Sequence, residues 1–116
     1  MFAQTTTIRV PLGYMERMRE VIRRDYLPKL QERSGFVSAF LLEQVDDTDR
    51  AELVVVWEDQ ASVERFNDTG MLEATVNGLA AYMPEVQVLR QSYRLTVVAG
   101  KPLAEAEMEA QLAAVL

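Results

Sequence analysis

The stretch Gly35–Asn67, GFVSAFLLEQVDDTDRAELVVVWEDQASVERFN, constrains the fold of this chain more than any other. It holds two runs rich in β-branched and aromatic residues, an acidic turn between them, and an abrupt change to helical spacing after the single tryptophan, Trp57. Such runs favour strands because branched and aromatic side chains pack well on a pleated surface. Asp46-Asp47-Thr48-Asp49 joins them with side chains that bond their own backbone and tolerate tight turns. In the first run Phe36, Ser38, Phe40 and Leu42 alternate with Val37, Ala39, Leu41, Glu43 and Val45, so both faces carry apolar groups and both are expected to be covered. After Trp57, Asp59 stands where a helix N-cap belongs, and apolar residues recur at helical spacing through Val63 and Phe66. The reading is a hairpin that feeds a helix.

The flanking segments complete the pattern. Gln4 to Val10 reads as a first strand stopped by Pro11-Leu12-Gly13. From Tyr14 to Arg33, Met15, Met18, Ile22, Tyr26 and Leu30 line one face of an amphipathic helix. Pro28 lies inside it, where the missing N–H and the ring clash predict a kink or break near Asp25. The helix after Trp57 weakens at Asn67-Asp68-Thr69-Gly70, and Thr69 is the expected cap of a second part that runs through Leu72, Val76, Leu79 and Met83 to Pro84. A fourth strand is expected from Glu85 to about Val98, longer than its partners. Gly100-Lys101-Pro102 then breaks the chain, and Leu103 to Leu116 carries a helical stripe of Met108, Leu112 and Val115, too short to be stable alone.

The order β-α-β-β-α-β is that of an α+β, ferredoxin-like antiparallel sheet with both helices on one face, spanning residues 1–99, followed by a C-terminal helical arm over residues 100–116. Helices on one face leave the other uncovered, although its strands are apolar. The simplest cover is the same face of an identical subunit. This predicts a homodimeric α/β barrel with an obligate interface of roughly 2,000–5,000 Å².

Composition removes several chemistries. The chain of 116 residues is long enough for one cored domain, and it contains neither cysteine nor histidine. That excludes a thiolate nucleophile, a thiolate or imidazole metal site, an axial histidine for haem, and the commonest general base. A net charge of −6 repels phosphate backbones, so no nucleic acid partner is expected, and Arg17, Arg19, Arg23 and Arg24 read as a solvated helix face. No apolar run approaches the roughly 20 residues of a membrane span, and the first residues lack a basic region followed by an apolar core. No membrane partner is expected, and the expected location is cytoplasmic.

The segments LPKLQERSGFVSAFLL and VVVWEDQASVERFND resemble the antibiotic biosynthesis monooxygenase family of the dimeric α/β-barrel superfamily, with a resemblance that runs from about Thr5 to Leu95. The family includes cofactor-independent oxygenases of polycyclic phenols, quinol oxygenases and haem-degrading oxygenases. The resemblance implies a substrate cavity between sheet and helices lined by Trp57. It also exposes departures. Leu53 stands at the family's asparagine four residues before the tryptophan, Val63 at its tyrosine six residues after, and Phe66 where many members carry a histidine. Val76 stands near the axial histidine of the haem-degrading members. These departures imply a more apolar cavity, and the lack of histidine excludes haem degradation by that scheme.

The candidate ligand-contacting residues are Trp57, Phe66, Tyr26, Tyr82 and Asn77; no catalytic residue is assigned. Trp57 either stacks on an aromatic ligand or fills the core, and Phe66 reads first as core. Tyr26 and Tyr82 are amphipathic enough to turn hydroxyls into a pocket for a phenol. Asn67 and Asn77 flank the break in the second helix and have the donors for a carbonyl or oxyanion, against the plainer roles of turn and surface residue. Asp46-Asp47 and Glu58-Asp59 read as turn and cap residues. Tyr93 and Arg94 read as dimer contacts. Two functions follow: an oxygenase that needs neither metal nor flavin, whose electron-rich phenol or quinol reduces O₂ directly, or a non-catalytic dimeric module that binds an apolar small molecule or a protein. Converging tyrosine hydroxyls would favour the first, and a space filled by Trp57, Phe66 and methionine the second.

Overall fold

A computed structural model describes residues 1–100. The elements are β1 (Phe2–Arg9), α1 (Met15–Val21), a π-helical turn (Ile22–Tyr26), α2 (Leu27–Gln31), β2 (Phe36–Glu43), β3 (Arg50–Trp57), α3 (Gln60–Asp68), α4 (Met71–Ala80) and β4 (Gln87–Arg94). The strands form one antiparallel sheet in the order β2-β3-β1-β4. This is the ferredoxin-like topology: the hairpin places β3 between the parallel pair β1 and β2, and β4 adds to the far side of β1. The expected helical arm falls on residues 101–116, outside the described residues.

One sheet face packs under the helices because alternate residues along the hairpin strand β3 are apolar. Ala51, Leu53, Val55 and Trp57 of β3 are buried there with Ile8, and Met18, Ile22, Tyr26, Leu30, Val63, Phe66 and Leu79 come down from the helices. Asp59 caps α3 as expected, accepting bonds from the Ser62 N–H at 2.8 Å and the Ser62 hydroxyl at 2.7 Å. The junction between β2 and α3 is tight. Gly35 has φ +85°, its carbonyl accepts from the Glu58 N–H at 2.8 Å, and a Cβ there would overlap the Ser62 hydroxyl and come within 2.6 Å of its Cβ.

Three local expectations are corrected, and the irregularity expected near Asp25 takes the form of the π-helical turn Ile22–Tyr26, in which the Leu27 N–H reaches back to the Ile22 carbonyl. That extra residue turns both Ile22 and Tyr26 into the core. In the hairpin, a bulge between Phe36 and Ser38 breaks the simple alternation, so Phe36 lies opposite Trp57 instead of sharing a face with Phe40. Gly70, in the left-handed conformation at φ 68°, takes the N-cap position of α4, while the Thr69 hydroxyl beside it accepts from the Met71 N–H at 3.2 Å. Finally, β4 ends at Arg94 and, like the other three strands, has 8 residues. Its ladder with β1 ends at the pair Phe2–Arg94, after which the Leu95 N–H donates to the Met1 carbonyl at 3.0 Å.

Candidate functional site

The register of the sheet sorts the helix-facing residues into rows that run from β2 through β3 and β1 to β4. One row is Phe36, Trp57, Phe2 and Arg94; the next is Ala39, Val55, Gln4 and Ser92; the third is Leu41, Leu53, Thr6 and Arg90. The second and third rows turn from apolar to polar between β3 and β1 and the first does so at β4, whereas the fourth, Glu43, Ala51, Ile8 and Val88, is polar only at β2. Over its first three rows the layer beneath the helices therefore has a dry half and a polar half.

The dry half is aromatic. Trp57, with no exposed surface, lies 5.2 Å from Phe66 between ring centroids, and Phe36 meets Trp57 edge-on at 6.1 Å. Tyr26 meets the other side of Phe66 edge-on at 6.4 Å. The indole Nε1–H of Trp57 is buried without a hydrogen-bond partner. An unmet buried donor costs about 1–3 kcal/mol, so an acceptor brought to it binds with that advantage.

The polar half begins at Gln4 and Thr6, both buried on β1. Gln4 donates from Nε2 to Oδ1 of Asn67 on α3 at 2.7 Å. Arg90, opposite Thr6 on β4, donates from Nη2 to Oε1 of Glu73 on α4 at 3.1 Å, while its Nη1 is buried without a partner. Burial, with a contribution from the Glu73 charge, pushes the Tyr26 phenol up to about 12 despite the opposing effect of Arg90. Tyr26 is thus protonated across the physiological range, a donor of hydrogen bonds and not a base. Farther along β4 on the same face, Ser92 and Arg94 are exposed, so the layer opens to solvent at that end.

Of the residues singled out from sequence, the structure brings Trp57, Phe66 and Tyr26 together. Tyr82 stands apart, 38% exposed, with the Arg17 guanidinium 4.8 Å above its ring, so the two tyrosine hydroxyls do not converge. Asn77 lies on the exposed side of α4. Leu53 and Val63 are core residues. The site residues that sequence reasoning missed are Gln4, Thr6, Glu73 and Arg90. A signal existed for Arg90: the alternation that places Val86 and Val88 on one face extends to it.

The other surfaces offer less for an aromatic ligand. A groove of about 520 Å³ along the exposed face of α1 is lined by Gly13, Glu16, Arg17, Glu20, Val21, Arg24 and Asp25, five of them charged and none aromatic. The arginines of the first helix are each engaged: Arg19 pairs with Glu43, Arg23 and Arg24 share Glu20, and Arg17 lies over the Tyr82 ring. Asp47 accepts from the Asp49 N–H and pairs with Arg9, a turn role. Among the described residues no cluster of three His, Cys, Asp or Glu could hold a metal ion, and no helix is long and apolar enough to cross a membrane.

Residues 1–78 match the family profile described as antibiotic biosynthesis monooxygenase. Among solved structures, the chain is similar to a candidate antibiotic biosynthesis monooxygenase from Deinococcus radiodurans, with 8% identity, a TM-score of 0.73, and 88% of this chain and 99% of that one covered. It is similar to SnoaB, a cofactor-independent oxygenase from Streptomyces nogalater, with 16% identity, a TM-score of 0.70, and 86% and 97% covered. It is also similar to PA3566 from Pseudomonas aeruginosa, with 22% identity, a TM-score of 0.59, and 82% and 94% covered. At these identities the likeness is one of fold. No curated protein matches the sequence significantly.

Proposed function

Because the chain belongs to the antibiotic biosynthesis monooxygenase family, we propose that it is a cofactor-independent monooxygenase that takes a phenolic or quinol-like aromatic into the layer between sheet and helices. The observation that carries this reading is the unpartnered, buried Trp57 Nε1–H, set in an aromatic wall of Phe36 and Phe66. Such a wall suits a flat ring, and the free donor suits an oxygen on that ring. The reading draws further support from the fold shared with SnoaB, which is described as a cofactor-independent oxygenase.

In this chemistry the substrate is the reductant. A phenol with a free ring position gives up four electrons to O₂; one oxygen atom becomes the new quinone carbonyl and the other leaves as water. The protein's part is to exclude bulk water, hold the ring, and stabilise negative charge on the substrate oxygen with fixed donors. Trp57 and the neutral Tyr26 phenol are such donors, and the family's polar positions at Leu53 and Val63 are replaced by polar groups from β1 and β4.

We also place a second copy of the chain on the uncovered sheet face. Phe40, Val54 and Val56 lie on that face with Thr5 and Thr7, and Leu42, Leu89 and Tyr93 are 50%, 60% and 49% exposed there. A contiguous apolar sheet face of this kind favours burial against its own copy.

The test is O₂ uptake in metal-free buffer with a panel of naphthols and hydroquinones. Uptake matched by quinone formation, and lost in the Trp57→Phe variant, is the expected result; binding without uptake would leave a non-catalytic binding module.

A further inference from the structure

Arg90 combines features that a purely structural ion pair does not require. Its side chain is only 20% exposed, whereas that of its partner Glu73 is 58% exposed. Glu73 is largely hydrated, so it neutralises the guanidinium only in part. One guanidinium nitrogen, Nη2, meets Glu73; the other, Nη1, is buried and donates to nothing. A guanidinium stays charged at any pH the fold survives, so its free N–H cannot be relieved by deprotonation. Among the described residues Glu73 is the one carboxylate paired with it. Thr6 faces it from β1, the protonated Tyr26 of the π-helical turn is near enough to feel its charge, and Arg94 lies beyond it on the same face of β4.

We propose that Arg90 determines the specificity of this site by receiving an ionised oxygen of the substrate on its free Nη1–H, so that the protein takes its aromatic as the phenolate. The proposal rests on the functional reading above and narrows it. A charge-assisted hydrogen bond of this kind is about twice as strong as a neutral one, and it satisfies the buried donor that the free protein leaves unmet. The substrate's hydroxyl proton passes to solvent on binding, no bond to carbon changes, and no side chain has to act as a base. The phenolate is also the better reductant for O₂, so the residue that selects the anion prepares the substrate for oxidation. Ser92 and Arg94, exposed beyond Arg90 on the same face, mark the side from which the anion enters.

The probes are para-nitrophenol, whose anion is coloured, and para-nitroanisole, which has the same ring and cannot ionise. Binding is followed by equilibrium dialysis, and the protonation state of bound para-nitrophenol by absorbance. The wild-type protein is expected to lower the titration midpoint of bound para-nitrophenol by at least about one pH unit, a tenfold preference for the anion. Arg90→Gln abolishes that shift and leaves para-nitroanisole binding unchanged. Glu73→Gln, which keeps the arginine and removes its counter-charge, moves the midpoint further down. The opposite signs separate an electrostatic role from a loss of packing, and Glu73→Gln carries the test if Arg90→Gln does not fold. An unshifted midpoint in the wild type, or shifts of one sign in both variants, overturns the proposal while aromatic binding stands. Failure of both probes to bind would overturn the functional reading, and the proposal with it.

Discussion

The β2/β3 half and the β1/β4 half of the layer beneath the helices are built from the same sheet, yet they spend their side chains differently. Across the rows, Phe36, Trp57, Val55 and Leu53 give way to Gln4, Thr6, Ser92 and Arg90. In the dry half the aromatic pairs each add about 0.5–1.5 kcal/mol beyond the area they bury. In the polar half, the Gln4–Asn67 and Arg90–Glu73 bonds hold side chains in place but leave the Arg90 Nη1–H unmet. Each half therefore holds one buried donor left unmet, the Trp57 Nε1–H in the aromatic wall and the Arg90 Nη1–H in the polar half, and the charged one is the stronger attraction for an anionic ligand.

The contrast is sharpest in its consequences for mutation. Trp57→Ala empties the largest fully buried side chain and is expected to cost about 3–5 kcal/mol, read from urea midpoints. Gly35→Ala comes next, at about 3 kcal/mol, because the positive φ and the overlap with Ser62 add; pairing it with Ser62→Gly recovers the second contribution only. Tyr26, on the border, acts through pH. Its raised pKa favours the protonated fold, so its contribution is whole below pH 10 and is lost as pH rises toward about 12, a loss of up to about 3 kcal/mol that Tyr26→Phe should not show. Arg90→Gln, in the polar half, should cost less stability than Trp57→Ala, since it removes an unmet buried donor along with a half-hydrated ion pair, while it removes the preference for anionic ligands. The smallest effect is at the exposed cap. Asp59→Ala should lower the thermal midpoint by a few degrees at neutral pH; bonding to Ser62 holds the Asp59 carboxyl below its ordinary range, so the wild type loses this advantage only in acid, as pH falls through that depressed value. If Arg90→Gln proved as destabilising as Trp57→Ala, the division into a fold-holding half and a ligand-facing half would be wrong.

The dry half was legible in the sequence and the polar half was not, for a physical reason. Periodicity reports which residues bury apolar surface, and it placed Trp57, Phe66 and Tyr26 under the helices with the strand and helix order around them. It is silent on Gln4 and Thr6, which read only as β-formers; their burial depends on α3 carrying Asn67, 63 residues away in the chain, over β1. Arg90 begins the polar run Arg90–Arg94 of an expected long strand, although its alternation with Val86 and Val88 points inward. The overlong fourth strand has the same origin: propensity continues through Val97 and Val98, but the pairing with β1, which local pattern does not report, ends at Phe2–Arg94. Tyr82 was chosen for its amphipathic ring, and a cation from α1, invisible to local pattern, occupies that ring instead.

The most direct measurement is a crystal structure of the protein soaked with 1-naphthol at a pH where the naphtholate is populated. The ring should lie against Trp57 and Phe66 between the sheet and α3–α4, with its oxygen within hydrogen-bond reach of Arg90 Nη1 or Trp57 Nε1. A naphthol seated on the uncovered sheet face beside Val54 and Tyr93, with the layer beneath the helices unchanged, would contradict that placement.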